Sequence, residues 1–236
     1  VKNQLAKVKN VVNFASTLHE LVHRDAGMPG MGLVYGFTGS GKTTTIAWSL
    51  NQLNGLYVRA TSVWTPFAMY RALLKELGIS PLHSAAKMMD AAVEQLLSNP
   101  RPLFVDETDY LLKDSRMLEG LRDLHDLANV PVILIGMEGI ETKLVHRKQL
   151  ARRISQWLEF APCDVQDTAL LAETCCAVQL GDDLLQLLHK QSGGSIGQMV
   201  VGLGRLESYA RAQRLQKLTL SQWQDSNRKL FLGRAA

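Results

Sequence analysis

The sequence has no apolar run long enough to span a bilayer and no signal-peptide pattern, so a membrane partner is not expected. Cysteine is scarce: Cys163, Cys175 and Cys176 are the only three. An odd, unpatterned set provides neither a disulfide framework nor a zinc site. Adjacent Cys175 and Cys176 read as small core residues of a helix, and a reducing cytoplasm is the expected location. The histidines (His19, His23, His83, His125, His146 and His189) lack metal-ligand spacing. Internal repeats and low-complexity tracts are absent, which excludes a solenoid or a disordered array. No block of like charge occurs either. The net charge of +4 and pI near 9.0 come from cations spread along the chain. That balance permits nucleic-acid binding without a basic tail.

What is present is an ordinary globular composition, 46% apolar and 20% charged over 236 residues, enough for one large domain or a domain with an appendage. Residues 2–24 carry apolar side chains at helical spacing, and the breakers of 25–30 form a loop. Short apolar segments at 31–35, 56–60, 102–106 and 131–136 read as strands. Helical stretches at 42–53, 66–77, 85–97 and 114–128 lie between them. Strands alternating with helices predict right-handed crossovers and a parallel sheet covered on both faces. Beyond Pro162 only helices are expected, near 167–179, 182–191, 196–215 and 220–230, punctuated by Gly181 and Gly193-Gly194. The expected division is an N-terminal helix and loop (1–30), an α/β core (31–161) and a helical lid (162–236).

Gly36-Phe37-Thr38-Gly39-Ser40-Gly41-Lys42-Thr43 fills every fixed position of the G-x-x-x-x-G-K-[ST] phosphate loop. A buried strand before it and a helix after it are the context such a loop requires. The glycines let successive backbone N–H groups turn inward on a polyphosphate, and the helix N-terminus adds its positive dipole end. Gly36, Phe37, Thr38, Gly39, Ser40, Gly41, Lys42, Thr43 and Thr44 are the expected ATP-binding residues. Lys42 would reach the β- and γ-phosphates, and the Thr43 hydroxyl would ligate Mg²⁺. Phe104-Val105-Asp106-Glu107 supplies the companion carboxylates. At the C-terminal end of a central strand, Asp106 is placed to hold the ion and its waters, and Glu107 to polarise an attacking water. An adjacent Asp-Glu pair favours hydrolysis over nucleotide sensing alone.

The phosphate loop, Val-Asp-Glu-Thr-Asp-Tyr-Leu at 105–111 and Val-Ile-Leu-Ile-Gly-Met at 132–137 resemble the ATPase core of the AAA+ superfamily. Asp106-Glu107-Thr108-Asp109-Tyr110-Leu111 is similar to the D-E-A-D-x-L segment of the transposition regulators, the family of the Mu phage B protein and TnsC. Leu150-Ala151-Arg152-Arg153-Ile154, with Leu158-Glu159-Phe160 after it, resembles that family's arginine-bearing segment and following strand. Gly194-Ser195-Ile196-Gly197-Gln198 resembles the start of its last long lid helix. The similarity covers residues 30–230. It implies a AAA+ P-loop fold with a parallel sheet flanked by helices and a small C-terminal helical lid.

The resemblance also implies a slow ATPase that regulates DNA transposition. Such proteins assemble as rings or filaments on double-stranded DNA and recruit or stimulate a transposase; a phage-encoded one works in the host cytoplasm. An arginine from one subunit completes its neighbour's site, and Arg153 is the candidate, with Arg152 second. Two departures point to slowness. Gly197 and Gln198 stand where relatives carry a lid arginine, and Gly136-Met137 offers no polar sensor, leaving Glu138 or backbone. The Mu protein has a DNA-binding helical domain ahead of its ATPase, where this chain has residues 1–30, so DNA contact is expected from the ATPase body. Arg59, Arg71, Lys75, Lys113 and Arg116 are the first candidates, making sequence-tolerant phosphate contacts. No cluster resembles a transposase's own nuclease site. The alternative is a AAA+ loader or scaffold acting on a protein partner, of secretion-associated or helicase-loader type, without intrinsic DNA binding.

Overall fold

The computed structural model describes residues 2, 4–25 and 27–231. Val1, Asn3, Ala26 and residues 232–236, which fall in the expected N-terminal segment, the 25–30 loop and the C-terminal region, lie outside that description. The chain forms two compact units. One holds Asn13–Phe37 and Lys42–Glu159; the other holds the described residues of Val1–Val12, Thr38–Gly41 and Phe160–Ala236.

The first element is α1 (Lys9–Val22), shorter than the helix expected over 2–24. Ala6 and Val8 are buried with Lys7 exposed between them, a period of two that belongs to extended chain. The Lys9 N–H then donates to Asp167 Oδ1 at 2.9 Å, an acceptor that suits the first turn of a helix.

In the α/β unit, β1 (Met31–Tyr35) leads through the phosphate loop into α2 (Lys42–Leu53), followed by β2 (Leu56–Arg59), α3 (Pro66–Glu76) and α4 (Ala85–Ser98). β3 (Leu103–Asp106) then runs into a 3₁₀ turn (Thr108–Lys113), α5 (Ser115–Ala128) and β4 (Val132–Ile135). Two short helices, α6 (Ile140–Val145) and α7 (Lys148–Ala151), precede β5 (Ile154–Glu159). Helix starts follow local chemistry: Thr65 and Ser84 accept from the backbone of Ala68 and Lys87, and Pro66 occupies the first turn of α3.

All five strands are parallel, in the order β2-β3-β4-β1-β5. This is the parallel α/β P-loop architecture expected from the alternation of strands and helices. β3 and β4 are buried along their whole length, as a sheet covered on both faces requires. Residues from β1 to β4 and from α3 to α5 make one continuous core, with Met31, Leu33, Leu103, Val105 and Leu134 fully inaccessible.

His125 of α5 is a polar member of this interior. Its Nδ1 donates to the Val130 carbonyl at 2.7 Å, and its Nε2 accepts from the Gly30 N–H at 3.3 Å. Burial holds its pKa below the ordinary 6.5. A depressed histidine pKa means the unfolded chain binds the proton more readily than the fold. Its contribution is therefore complete above pH 6.5 and is lost as pH falls from there through the folded value. The melting temperature is expected to drop on acidification through this window, and His125→Gln to flatten that part of the profile in a pH series of thermal melts.

The helical unit contains α8 (Val165–Cys175), β6 (Gln179–Leu180), α9 (Asp182–Ser192), α10 (Ile196–Ala212), β7 (Lys217–Leu218) and α11 (Leu220–Asp225). The two-residue strands β6 and β7 pair in parallel; segments this short leave no periodicity to read. Asp164 and Asp167 form a capping box at the start of α8. Cys163, Cys175 and Cys176 are free and buried. Burial pushes the Cys163 and Cys176 thiols up to about 12 and about 11, so neither is a reactive thiolate at neutral pH. Among the described residues no helix is long and apolar enough to cross a membrane.

Candidate functional site

The parallel order places the C-terminal ends of β1, β3 and β4 along one edge of the sheet, where open α/β sheets bind ligands. The phosphate loop leaves β1 there. Gly36, Gly39 and Gly41 have φ of 148°, 86° and 92°, conformations a side chain would strain. In the α/β unit, the Lys42 ammonium donates to the carbonyls of Gly36 and Phe37 at 2.7 and 2.9 Å. Burial lowers its pKa, and Asp106, Glu107 and Asp109 act on it in the opposite direction. Thr43 and Thr44 are exposed on the first turn of α2, whose leading N–H groups have no acceptors within the helix.

The apex of the loop, Thr38–Gly41, belongs to the helical unit. There the Gly197 N–H and the Ser195 hydroxyl donate to the Gly39 carbonyl at 3.0 and 3.3 Å. A Cβ on Gly39 would stand 2.7 Å from Ser195 Oγ, and one on Gly41 would stand 3.0 Å from Ile196 Cδ1. Gln198 is exposed beside them. Arg205, the arginine two turns further along α10, donates to the Leu230 carbonyl at 2.6 Å.

Asp106 ends β3 and is buried. Its Oδ2 accepts from the Tyr57 hydroxyl at 2.7 Å, and its Oδ1 accepts from the Glu107 N–H at 2.9 Å. Burial first, and Asp106 second, push the Tyr57 phenol up, so it remains a donor. Glu107 has φ 56° and ψ 40°, a left-handed conformation that costs a residue other than glycine about 1–3 kcal/mol and is concentrated at functional sites. Its Oε1 pairs with the Arg59 guanidinium at 3.0 Å. Tyr57 and Arg59 lie two apart on the edge strand β2 and share a face; together they hold the carboxylate of Asp106, which ends β3, and that of Glu107 after it.

Asp109 reaches back across the sheet edge, its Oδ2 accepting from the Met137 N–H at 2.7 Å. The loop after β4 continues this lattice, the Glu138 N–H donating to the Gly36 carbonyl at 3.1 Å. Gly136 is needed there, because a Cβ would lie 2.6 Å from Ile140 Cδ1 and 2.9 Å from Asp109 Oδ2. The Glu138 side chain is exposed, so the backbone makes this contact.

The donor set fits a magnesium triphosphate. Lys42 and the α2 N-terminus supply positive charge. Thr43 and Asp106 are hard oxygen donors of the kind Mg²⁺ takes in small number, keeping waters and phosphate oxygens for the rest. Among the described residues no three His, Cys, Asp or Glu side chains group to hold a metal ion unaided.

The sequence profile of the AAA domain family matches residues 25–144. The chain belongs to the AAA domain family. No curated protein matches it. Among solved structures it is similar to the Aeropyrum pernix ORC1 protein in complex with DNA, 17% identical with a TM-score of 0.67 over 96% of this chain and 66% of that one. It is also similar to the Aeropyrum pernix ORC2 protein in ADPNP–ADP complexes, 16% identical with a TM-score of 0.72 over 96% and 68%. A third is Cdc6p from Pyrobaculum aerophilum, 13% identical with a TM-score of 0.65 over 92% and 65%. This chain thus spans about two thirds of their length, and the likeness is one of fold. Membership of the AAA domain family carries the general capacity to bind and hydrolyse nucleoside triphosphate, with ATP and Mg²⁺ the usual pair.

Arg153 follows α7 and forms a bidentate pair with Asp126, its Nε donating to Oδ1 at 3.2 Å and its Nη2 to Oδ2 at 2.9 Å. Its carbonyl accepts from the Met31 N–H at 3.0 Å, at the start of β1. That puts Arg153 a strand length from its own phosphate loop, roughly 13 Å at 3.3 Å per residue. Arg152 is exposed and has no side-chain partner among the described residues. Four of the five DNA candidates surround the loop after β2: Arg59 opens it, Lys113 donates to the Ser62 carbonyl, and Arg71 and Lys75 line the hollow that Thr61 and Trp64 border. Arg116 pairs with Asp114 at 2.8 Å. Tyr57 is the site residue that motif reading missed; its signal was the alternation of Tyr57 and Arg59 on a strand beside an acidic strand end.

Proposed function

We propose that this AAA domain is a slow ATPase that binds double-stranded DNA without sequence preference and regulates DNA transposition. It assembles into a ring or filament on DNA with ATP bound, and a transposase is recruited to that assembly. The Asp106–Leu111 segment supports the transposition assignment. The observation that carries DNA coupling is the Arg59–Glu107 ion pair: a cation suited to a DNA phosphate is held by the carboxylate suited to activating water. The Aeropyrum pernix ORC1 protein, whose fold this chain shares, was solved in complex with DNA.

While Glu107 neutralises Arg59 it is turned to a guanidinium rather than to water. A phosphate that takes Arg59 releases the base. Duplex DNA is therefore expected to stimulate hydrolysis by the parent at low salt. Arg59→Ala raises the DNA-free rate and loses the stimulation, in phosphate-release assays with and without duplex. Absence of DNA binding at low salt with a non-hydrolysable ATP analogue, in a gel shift over several duplex lengths, removes the proposal and leaves a loader acting on a protein.

Catalysis requires a cation on the γ-phosphate supplied by a neighbouring subunit. Arg153 is held by Asp126, and Arg152 is exposed with no side-chain partner among the described residues, so Arg152 is the better placed of the two for a contact in trans. Arg152→Ala is expected to lower hydrolysis by about 10³-fold, the lower end for such arginines, with ATP binding intact. Mixing it with Glu107→Gln protein restores activity, because one protein supplies the arginine and the other the base. If Arg152→Ala hydrolyses normally and Arg153→Ala does not, the roles are reversed.

A further inference from the structure

Beside β2, the loop at 61–64, one face of α3 and the turn at 78–81 line an open hollow of about 850 Å³. α3 presents the small Ala68 and Ala72 to it, and Gly78, with φ 75°, turns the chain so that Ile79 joins its lining. We propose that this hollow docks a short acidic segment of a partner protein, anchored by one large apolar side chain. This goes beyond the DNA reading and does not depend on it.

Two observations decide the chemistry of the occupant. The walls combine a half-buried Trp64 and Ile79 with Val63, which is 82% exposed. A valine that open beside a tryptophan leaves apolar surface for a side chain to cover. Arg71 and Lys75 stand on the same wall at i and i+4. Neither has an ion-pair partner among the described residues, and no carboxylate lines the hollow. Lys113, bonded to the Ser62 carbonyl, adds a third positive charge at the loop. An acidic residue flanking a leucine or aromatic anchor would satisfy the cations and fill the cleft. Complementary charge of this kind also guides the encounter.

A DNA backbone is a poorer match. Its phosphates could meet the two cations but would leave the apolar side chains of Val63, Trp64 and Ile79 uncovered. Arg71 and Lys75, candidates for DNA in sequence, thus gain a protein-binding role in structure.

The test is a random-peptide display selection on the full chain, counter-selected on Ala72→Trp, which fills the hollow from an accessible position. The expected peptides pair an aspartate or glutamate with a large apolar residue. The best of them, synthesised with a fluorescent label, should bind the parent and lose at least tenfold in affinity to Ala72→Trp and to Lys75→Glu. Lys75 is exposed on α3 and outside the core, so its variant is expected to keep the fold. Duplex DNA should leave the bound peptide in place. Basic peptides, no enrichment over Ala72→Trp, or equal binding to both variants would overturn the proposal. So would displacement of the peptide by duplex DNA together with loss of DNA binding in Arg71→Glu; the hollow would then be a nucleic-acid contact.

Discussion

A Glu107→Gln variant is expected to bind ATP as tightly as the parent and to hydrolyse it at least about 10²-fold more slowly. The carboxylate is the group suited to take a proton from water at this edge of the sheet, and the amide keeps its size but not its basicity. Asp106 remains held by Tyr57, so the carboxylate proposed to hold Mg²⁺ is undisturbed. The substitution also removes the charge that holds Arg59, freeing that guanidinium for phosphate. The variant is therefore expected to stay on DNA far longer than the parent once ATP is bound. Phosphate release, nucleotide titration and dissociation from labelled duplex read the three effects separately. Dissociation as fast as the parent's would end the idea that hydrolysis dissolves the assembly.

Lys42→Ala has the other large effect, on binding itself. The ammonium bridges two loop carbonyls at 2.7 and 2.9 Å and is the fixed cation of the phosphate loop. Hydrogen bonds to charged groups are worth about 1.5–3 kcal/mol, so ATP affinity is expected to fall about 10–100-fold. Assembly on DNA falls with it. Lys42→Arg should not restore affinity, because the planar guanidinium cannot take the same place between the Gly36 and Phe37 carbonyls. Titration with a fluorescent ATP analogue, with circular dichroism to confirm the fold, measures this. Parental affinity in Lys42→Ala would contradict the assignment of the loop.

The sheet was legible because each strand is an apolar run bounded by breakers. β1 runs from Met31 to Tyr35 as read, and β2, β3 and β4 fall within one residue of expectation at each end. Amphipathic periodicity located α3, α4 and α5 for the same reason. The N-terminal helix was read too long because Leu5 and Val8 satisfy helical spacing, yet Ala6 and Val8 bury alternately and Asp167, far along the chain, sets the start at Lys9. α11 stops at Asp225 rather than running to 230, and Asn227 takes a positive φ of 53°.

In the site, motif spacing named Lys42, Asp106 and Glu107, which interact electrostatically in the fold. The sequence shows Tyr57 and Arg59 only as alternating residues of a strand; that they hold Asp106 and Glu107 depends on the register that sets Arg59 opposite Asp106. The pairing of Arg153 with Asp126 was not legible, since they lie in different elements and meet only when α5 and the segment before β5 pack.

The central claim is that ATP determines whether subunits hold together on DNA. Electron microscopy of the full chain with duplex DNA and a non-hydrolysable ATP analogue tests it most directly. Regular rings or filaments on the duplex, absent without nucleotide and absent with Lys42→Ala, are the expected result. Single subunits in every condition, or the same assemblies with and without nucleotide, would contradict it.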